Sequence, residues 1–340
     1  MELKYIPKTS LNAWLAKVKD SGRQLYAPVA ENGKTNFKRV SSVDEISMGH
    51  VQTAQSAKGV AFPRTEKLFS YARQQGSVTL QDYDPNALPS TVVFGLHPCD
   101  AAAFKPLSGI FGWDTQDKPF SERMQRVTLV SLSCSKCDAF CFCTSVGGSP
   151  GNADGSDILL TAVSDEGYLV EIVTDKGKSL IEPHAALFEA APEVSKAELL
   201  AHVEVKFSVD EVERKIADAF ESDVWKRQSA RCMGCGACAF VCPACACFDV
   251  QENAKGAAGD RIRCWDSCGF ALFTLHTSGH NPRGTQSQRW RQRLLHKFSY
   301  MPRRLAVRGC TGCGRCSRAC PVDMNLSEHL KELESIHRTS

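Results

Sequence analysis

Apolar residues follow two different rhythms along this chain, and the change between them comes near residue 225. Thr91-Val-Val-Phe-Gly-Leu96 and Val127-Thr-Leu-Val-Ser-Leu132 are apolar runs of strand length. Near-continuous apolar character, rather than alternation, predicts strands buried on both faces, as in parallel sheets covered by helices. Asp157 to Val163 and Tyr168 to Val173 read as two strands joined by a turn at Asp165-Glu-Gly167, a hairpin signal. Met1 to Lys19 reads as an amphipathic helix with Leu11, Trp14, Leu15 and Val18 on one face. Val209 to Phe220 has the same spacing, with Val212, Ile216, Ala217 and Phe220 apolar, and Gly147-Gly-Ser-Pro-Gly-Asn152 reads as a loop. Residues 1–225 are therefore expected to form an α/β domain. Residues 226–340 read as short loops with little strand character, a second domain.

Composition narrows the chemistry. The chain has 340 residues, 43% of them apolar and 23% charged, with 17 cysteines as the outlier. A chain this long does not need disulfides to support its core. No signal peptide is evident, and no run approaches the roughly 20 apolar residues of a membrane span. The expectation is a cytoplasmic protein whose cysteines serve metal or redox chemistry.

The cysteines repeat a pattern. Cys232-x2-Cys235-x2-Cys238-x3-Cys242-Pro243 recurs as Cys310-x2-Cys313-x2-Cys316-x3-Cys320-Pro321. Three thiolates two residues apart can wrap three corners of an iron–sulfur cubane when the backbone coils tightly, which Gly234, Gly236, Gly312 and Gly314 permit. In two-cluster ferredoxins the fourth cysteine ligates the other cluster. This assigns Cys232, Cys235, Cys238 and Cys320 to one [4Fe–4S] cluster, and Cys310, Cys313, Cys316 and Cys242 to a second. The second domain is then ferredoxin-like and α+β, with a long insertion, 243–309, between its motifs. Structural zinc also uses four cysteines, but a doubled motif ending in Cys-Pro is far more specific than one C-x2-C pair.

Five cysteines lie in the first domain. Cys99 follows the first buried strand in His97-Pro-Cys-Asp100, and Cys134 follows the second in Ser133-Cys-Ser-Lys-Cys137. Ligands of open α/β sheets gather outside the carboxyl ends of the strands. Neighbouring parallel strands would bring Cys99 and Cys134 to one edge, beside Phe140-Cys-Phe-Cys143. A third [4Fe–4S] cluster is expected on Cys99, Cys134, Cys141 and Cys143, with Cys137 as the alternate; the bland reading is small buried apolar residues. Cys245 and Cys247 could join that cluster, form a separate site or only pack beside a ferredoxin cluster, and the sequence assigns no role to Cys264 and Cys268. Asp100 is expected to cap a helix from Ala101. His97, His276, His280 and His296 are read as ordinary surface or core residues.

Net charge is only +3, yet Ser267 to Val322 contains no Asp or Glu and ten Lys or Arg, among them Arg293, Lys297, Arg308, Arg315 and Arg318. Three readings stay open: a solvated basic face, compensation of anionic clusters, or a docking patch for an acidic partner. Few aromatics interleave, so no nucleic-acid partner is expected. Neither G-x-G-x-x-G nor a Walker loop occurs, so nothing supports nucleotide binding.

His97-Pro-Cys-Asp100, Phe140-Cys-Phe-Cys-Thr-Ser145, Cys242-Pro-Ala-Cys-Ala-Cys-Phe-Asp249, Trp265-Asp-Ser-Cys268 and Arg291-Gln-Arg-Leu-Leu-His-Lys-Phe298 occur in this order. From about residue 60 to 325 the chain resembles the 4Fe–4S dicluster family that includes the sulfhydrogenase β subunit and the anaerobic sulfite reductase A subunit. It departs from that pattern at His97, where many members have arginine, and in carrying Cys137 and Cys264. The resemblance implies an electron-transfer subunit in a cytoplasmic hetero-oligomer. It would sit between a flavoprotein subunit, linked to NAD(P)H or ferredoxin, and a catalytic redox subunit of hydrogenase, sulfite reductase or heterodisulfide-reductase-like type. No residue is assigned a catalytic role on this reading. The rival is a catalytic subunit whose first-domain cysteine site itself reduces thiols, disulfides or sulfur.

Overall fold

The structure, a computed structural model, describes residues 2–336. Twelve strands occur among them: β1 (Glu2–Pro7), β2 (Gln24–Glu31), β3 (Lys34–Arg39), β4 (Thr65–Gln74), β5 (Ser77–Asp82), β6 (Thr91–Leu96), β7 (Val127–Leu132), β8 (Ile158–Val163), β9 (Gly167–Ile172), β10 (Glu189–Ala190), β11 (Phe248–Lys255) and β12 (Ala258–Trp265). Eight of them form one sheet in the order β10-β1-β9-β8-β7-β6-β2-β3. Its centre, β2-β6-β7-β8, is parallel, and the strands at both margins pair antiparallel.

The apolar runs explain this sheet. On β6, Val92 and Phe94 pack with Ile6 and with Trp14 and Leu15 of helix α1 (Lys8–Asp20) on one face. Val93 and Leu96 pack with Phe62, Leu107 and Phe111 on the other. Burying a side chain such as Phe94 contributes about 2 kcal/mol. Gly95 lets Leu96 change sides: the register with β7 shifts between Phe94 and Leu96, and Gly95 has φ +81°, a bulge. A Cβ there would lie 2.8 Å from Pro28 Cδ.

Three expectations need correction. Residues 2–7 form β1 between β9 and β10 instead of opening a helix, and Met1 lies outside the described residues. Pro7, with ψ 145°, separates the strand from α1; a proline fits just before a helix, not within it. Leu11, Trp14, Leu15 and Val18 are the buried face of α1, as the spacing predicts. The helix from Val209 ends at Lys215, and Phe220 is left exposed with the Arg291 guanidinium 3.6 Å over its ring.

The third correction concerns the segment beyond residue 225, which does contain strands. β11 and β12 join β4 and β5 in an antiparallel sheet, order β11-β12-β4-β5. Every residue of β11 is exposed, so no apolar alternation marks it. Buried Arg263 of β12 braces its own sheet, where Nε donates to Glu66 Oε1 of β4 at 2.7 Å, and ties it to the rest of the first domain through Asp117, the N-cap of the helix Lys118–Arg126. A further core forms around the helices Gln286–Leu295 and Leu326–Ser335, with Trp225, Trp290, Leu294 and Leu330 packed against the ferredoxin-motif cysteines. No helix among the described residues is long and apolar enough to cross a membrane.

Candidate metal centres

The two ferredoxin motifs fold alike. In each, a glycine with positive φ, Gly236 at +75° or Gly314 at +68°, heads a four-residue helix, Ala237–Phe240 or Arg315–Arg318, that carries the third cysteine. No side chain is tolerated at either place, since a Cβ would lie 2.5 Å from the Phe270 ring or 2.4 Å from the Phe140 carbonyl. Cys232, Cys235, Cys238 and Cys320 line one cavity together with Cys316 of the second motif, and Gln286 Nε2 donates to Cys232 Sγ at 3.0 Å. In the second motif Cys313 acts electrostatically on both Cys310 and Cys316. Cys242 joins this side through Lys297, whose Nζ lies 3.4 Å from Cys242 Sγ and also faces Cys310.

The first-domain cysteines sit where β6 and β7 end. These strands are parallel neighbours, and Cys134 faces Cys143, Cys141 and Cys137. Cys99 faces both Cys134 and Cys313, so this group adjoins the second ferredoxin motif. Backbone contact seals the junction, with Phe142 N donating to Gly312 O at 3.0 Å. Polar hydrogens point at the sulfurs: Gln52 Nε2 lies 3.4 Å from Cys99 Sγ, and Arg318 Nη2 3.3 Å from Cys141 Sγ. Cys137 stands in the group, but its thiol donates to the His202 carbonyl at 3.1 Å.

Asp100 is not a helix cap. It lies inside helix α2 (Pro98–Ala101) and pairs in bidentate fashion with Arg315, at 2.6 and 2.8 Å, both side chains buried. His97 is a buried core histidine with Nδ1 3.5 Å from Cys134 Sγ.

Sequence reasoning left four cysteines open, and three of them gather near the first ferredoxin motif. The Cys242 and Cys245 thiols act on each other electrostatically, as do those of Cys247 and Cys268. Cys264 stands apart on β12, opposite Asp249 and Thr65. Lys58, Arg293 and Lys297 are buried among these sulfurs. The acid-free stretch was the signal for Arg293 and Lys297, but nothing in the sequence marked Lys58. Lys297 sits on a π-helical turn, His296–Tyr300, that continues the helix Gln286–Leu295; such turns collect at functional sites.

Electrostatics separate the groups. Burial pushes the thiols of Cys99 and Cys134 well up, and that of Cys143 to about 11. Reactive cysteines have the opposite property, a depressed pKa. The neighbouring Cys247 thiol, with help from Arg293, instead holds the Cys268 thiol down.

A single zinc ion would need its sulfurs within ~4 Å of one another, and no group of three or more His, Cys, Asp or Glu among the described residues could hold one ion. Sulfur-directed N–H groups and buried cations stand beside the cysteines, which fits anionic clusters.

Comparison with known proteins agrees. A family model described as a 4Fe–4S dicluster domain matches residues 231–324. The sulfhydrogenase 2 subunit beta of Pyrococcus furiosus is 31% identical over 328 residues, 94% of each chain. No solved structure matches. Two [4Fe–4S] clusters thus belong to the C-terminal motifs, and the chain belongs to the 4Fe–4S dicluster electron-transfer subunit family of that sulfhydrogenase subunit.

Proposed function

We propose that this chain relays electrons within a cytoplasmic hydrogenase-type complex, between a flavoprotein or ferredoxin-linked subunit and a catalytic redox subunit, and does no bond chemistry itself. Its likeness to a sulfhydrogenase beta subunit supports the type of complex. The observation that carries the relay is the continuity of the cysteine groups. Cys99 and Cys313 both act on the buried Arg315, and the backbones of the two groups are hydrogen-bonded at Phe142 and Gly312.

In this reading Cys232, Cys235, Cys238 and Cys320 hold one cluster, and Cys310, Cys313, Cys316 and Cys242 the second. Cys99, Cys134, Cys141 and Cys143 hold a third. Bound [4Fe–4S] clusters accept and release single electrons at potentials set by charge, hydrogen bonds to sulfur and solvent exposure. The chain's own residues supply those settings: Gln286 and Gln52 amides and the Arg318 guanidinium donate to ligand sulfurs.

The test is iron and acid-labile sulfide per chain on anaerobically purified protein, with EPR of the reduced form. Cys134→Ser should lower the iron by about four atoms while the ferredoxin-pair signals persist. Unchanged iron in that variant removes the third cluster. Reduction of the chain by the flavoprotein partner, and its reoxidation by the catalytic subunit, tests the relay itself.

A further inference from the structure

We infer that Cys245, Cys247 and Cys268 hold a further [4Fe–4S] cluster, beside the ferredoxin pair and separate from the Cys99 group. The three cysteines come from two segments, the loop after Cys242 and the turn after β12, and line one cavity of about 260 Å³ with Arg283, Gln292 and His296. A [4Fe–4S] cluster held by these three thiolates would need its fourth ligand from elsewhere.

Charge carries the argument. Lys58, Arg293 and Lys297 are 3%, 5% and 5% exposed. Lys58 Nζ donates to the carbonyls of Ala239 and Cys245 at 3.2 and 3.0 Å and lies 4.1 Å over the Trp265 ring. Arg293 Nη1 lies 3.5 Å from Cys245 Sγ, and its Nη2 donates to Cys238 O at 2.8 Å. Lys297 donates to Cys242 Sγ and to the Gly309 carbonyl. The anionic groups that act on these cations are all cysteine sulfurs.

A buried cation is costly unless an opposite charge meets it, and neutral thiols supply none. The ferredoxin clusters can meet Arg293 and Lys297, which reach Cys238, Cys242 and Cys310. Lys58 enters from the first domain. Of the three sulfurs that act on it, Cys242 belongs to a ferredoxin motif, while Cys245 and Cys247 belong to neither, so a cluster on those two would add negative charge beside it.

The test uses the full chain, purified anaerobically, with iron, labile sulfide and EPR as readouts. Cys247→Ser and Cys268→Ser, on separate segments, should each lose about four iron atoms and keep the ferredoxin-pair signals. Cys264→Ser, on the same hairpin but outside the group, should lose none. Unchanged iron in both C247S and C268S overturns the inference. The unsubstituted chain decides independently of how the variants fold. An excess of about four irons over the ferredoxin pair's eight plus any lost in C134S supports the site, and no excess overturns it. Because C134S reports only on the Cys99 group, failure of that reading and failure of this one give different patterns.

Discussion

At the scale of single residues, buried charge is the feature that most constrains this protein. Arg315 is 1% exposed and spends its guanidinium on Asp100, the Thr53 carbonyl and the Thr53 hydroxyl. Arg315→Met would leave Asp100 buried without its cation, which costs about 3–5 kcal/mol. Chemical denaturation of anaerobic protein should show a loss of that size, and a loss under 1 kcal/mol would refute the pairing as a structural tie. His50 makes a second prediction. Burial, then the adjoining His97 ring, holds its pKa down at about 4, and neither ring nitrogen has a hydrogen-bond partner among the described residues. In the unfolded chain the same group titrates near 6.5. The unfolded state therefore binds the extra proton first, and stability is full above about 6.5 and falls as pH drops toward 4. The effect is on the order of 2 kcal/mol for a group that keeps some contact with water. Denaturation midpoints between pH 7 and 5 should slope less steeply in His50→Gln, and an identical slope would remove His50 as the source.

At the scale of elements, the positive-φ glycines divide by what surrounds them. Gly256, in the turn between β11 and β12, has φ +63° with nothing near its Cα, whereas Gly314 has φ +68° against the Phe140 carbonyl. Gly256→Ala should cost only the left-handed conformation, about 1 kcal/mol, and leave iron content unchanged. Gly314→Ala must push Phe140 or the motif helix aside, so iron should fall. Equal iron in the two variants would show that the motif tolerates the displacement. The elements also show what the sequence makes legible. β6, β7 and the β8–β9 hairpin were readable because an apolar run needs cover on both faces and only a few arrangements provide it. β5 and β11 were not, because all their residues are exposed and no apolar alternation marks a buried face, although each pairs with its neighbour in the chain. The cysteine motifs were plain from spacing, since local coiling alone shapes them. The gathering of Cys245, Cys247 and Cys268 was not, since it depends on a hairpin that returns Cys268 to the loop it left. Charge alone left the acid-free stretch open between a solvated face, compensation of clusters and a docking patch, and Arg293, Lys297 and Arg315 fold inward because sulfurs and Asp100 await them there.

For the whole molecule, the ties between the α/β sheet and the ferredoxin motifs decide how it unfolds. β4 and β12 pair along seven residue positions although almost two hundred residues separate them. Arg263 is buried against Glu66 and Asp117, Arg315 against Asp100, and Lys58 reaches the carbonyl of Cys245. Each tie leaves a buried charge or strand edge behind when either half opens alone, and each such group costs several kcal/mol. Separate unfolding of residues 1–225 and 226–340 would pay all of those costs together. Calorimetry of the anaerobic, iron-loaded chain should therefore give one transition, with loss of cluster absorbance at the same temperature. Residues 226–340 expressed alone should retain less iron per chain than the ferredoxin pair requires. Two well-separated transitions, or a stable C-terminal fragment with about eight irons, would show that the ties are too weak to couple the halves. Coupling of this kind suits a relay, because the distance between its cysteine groups stays fixed only while both halves remain docked.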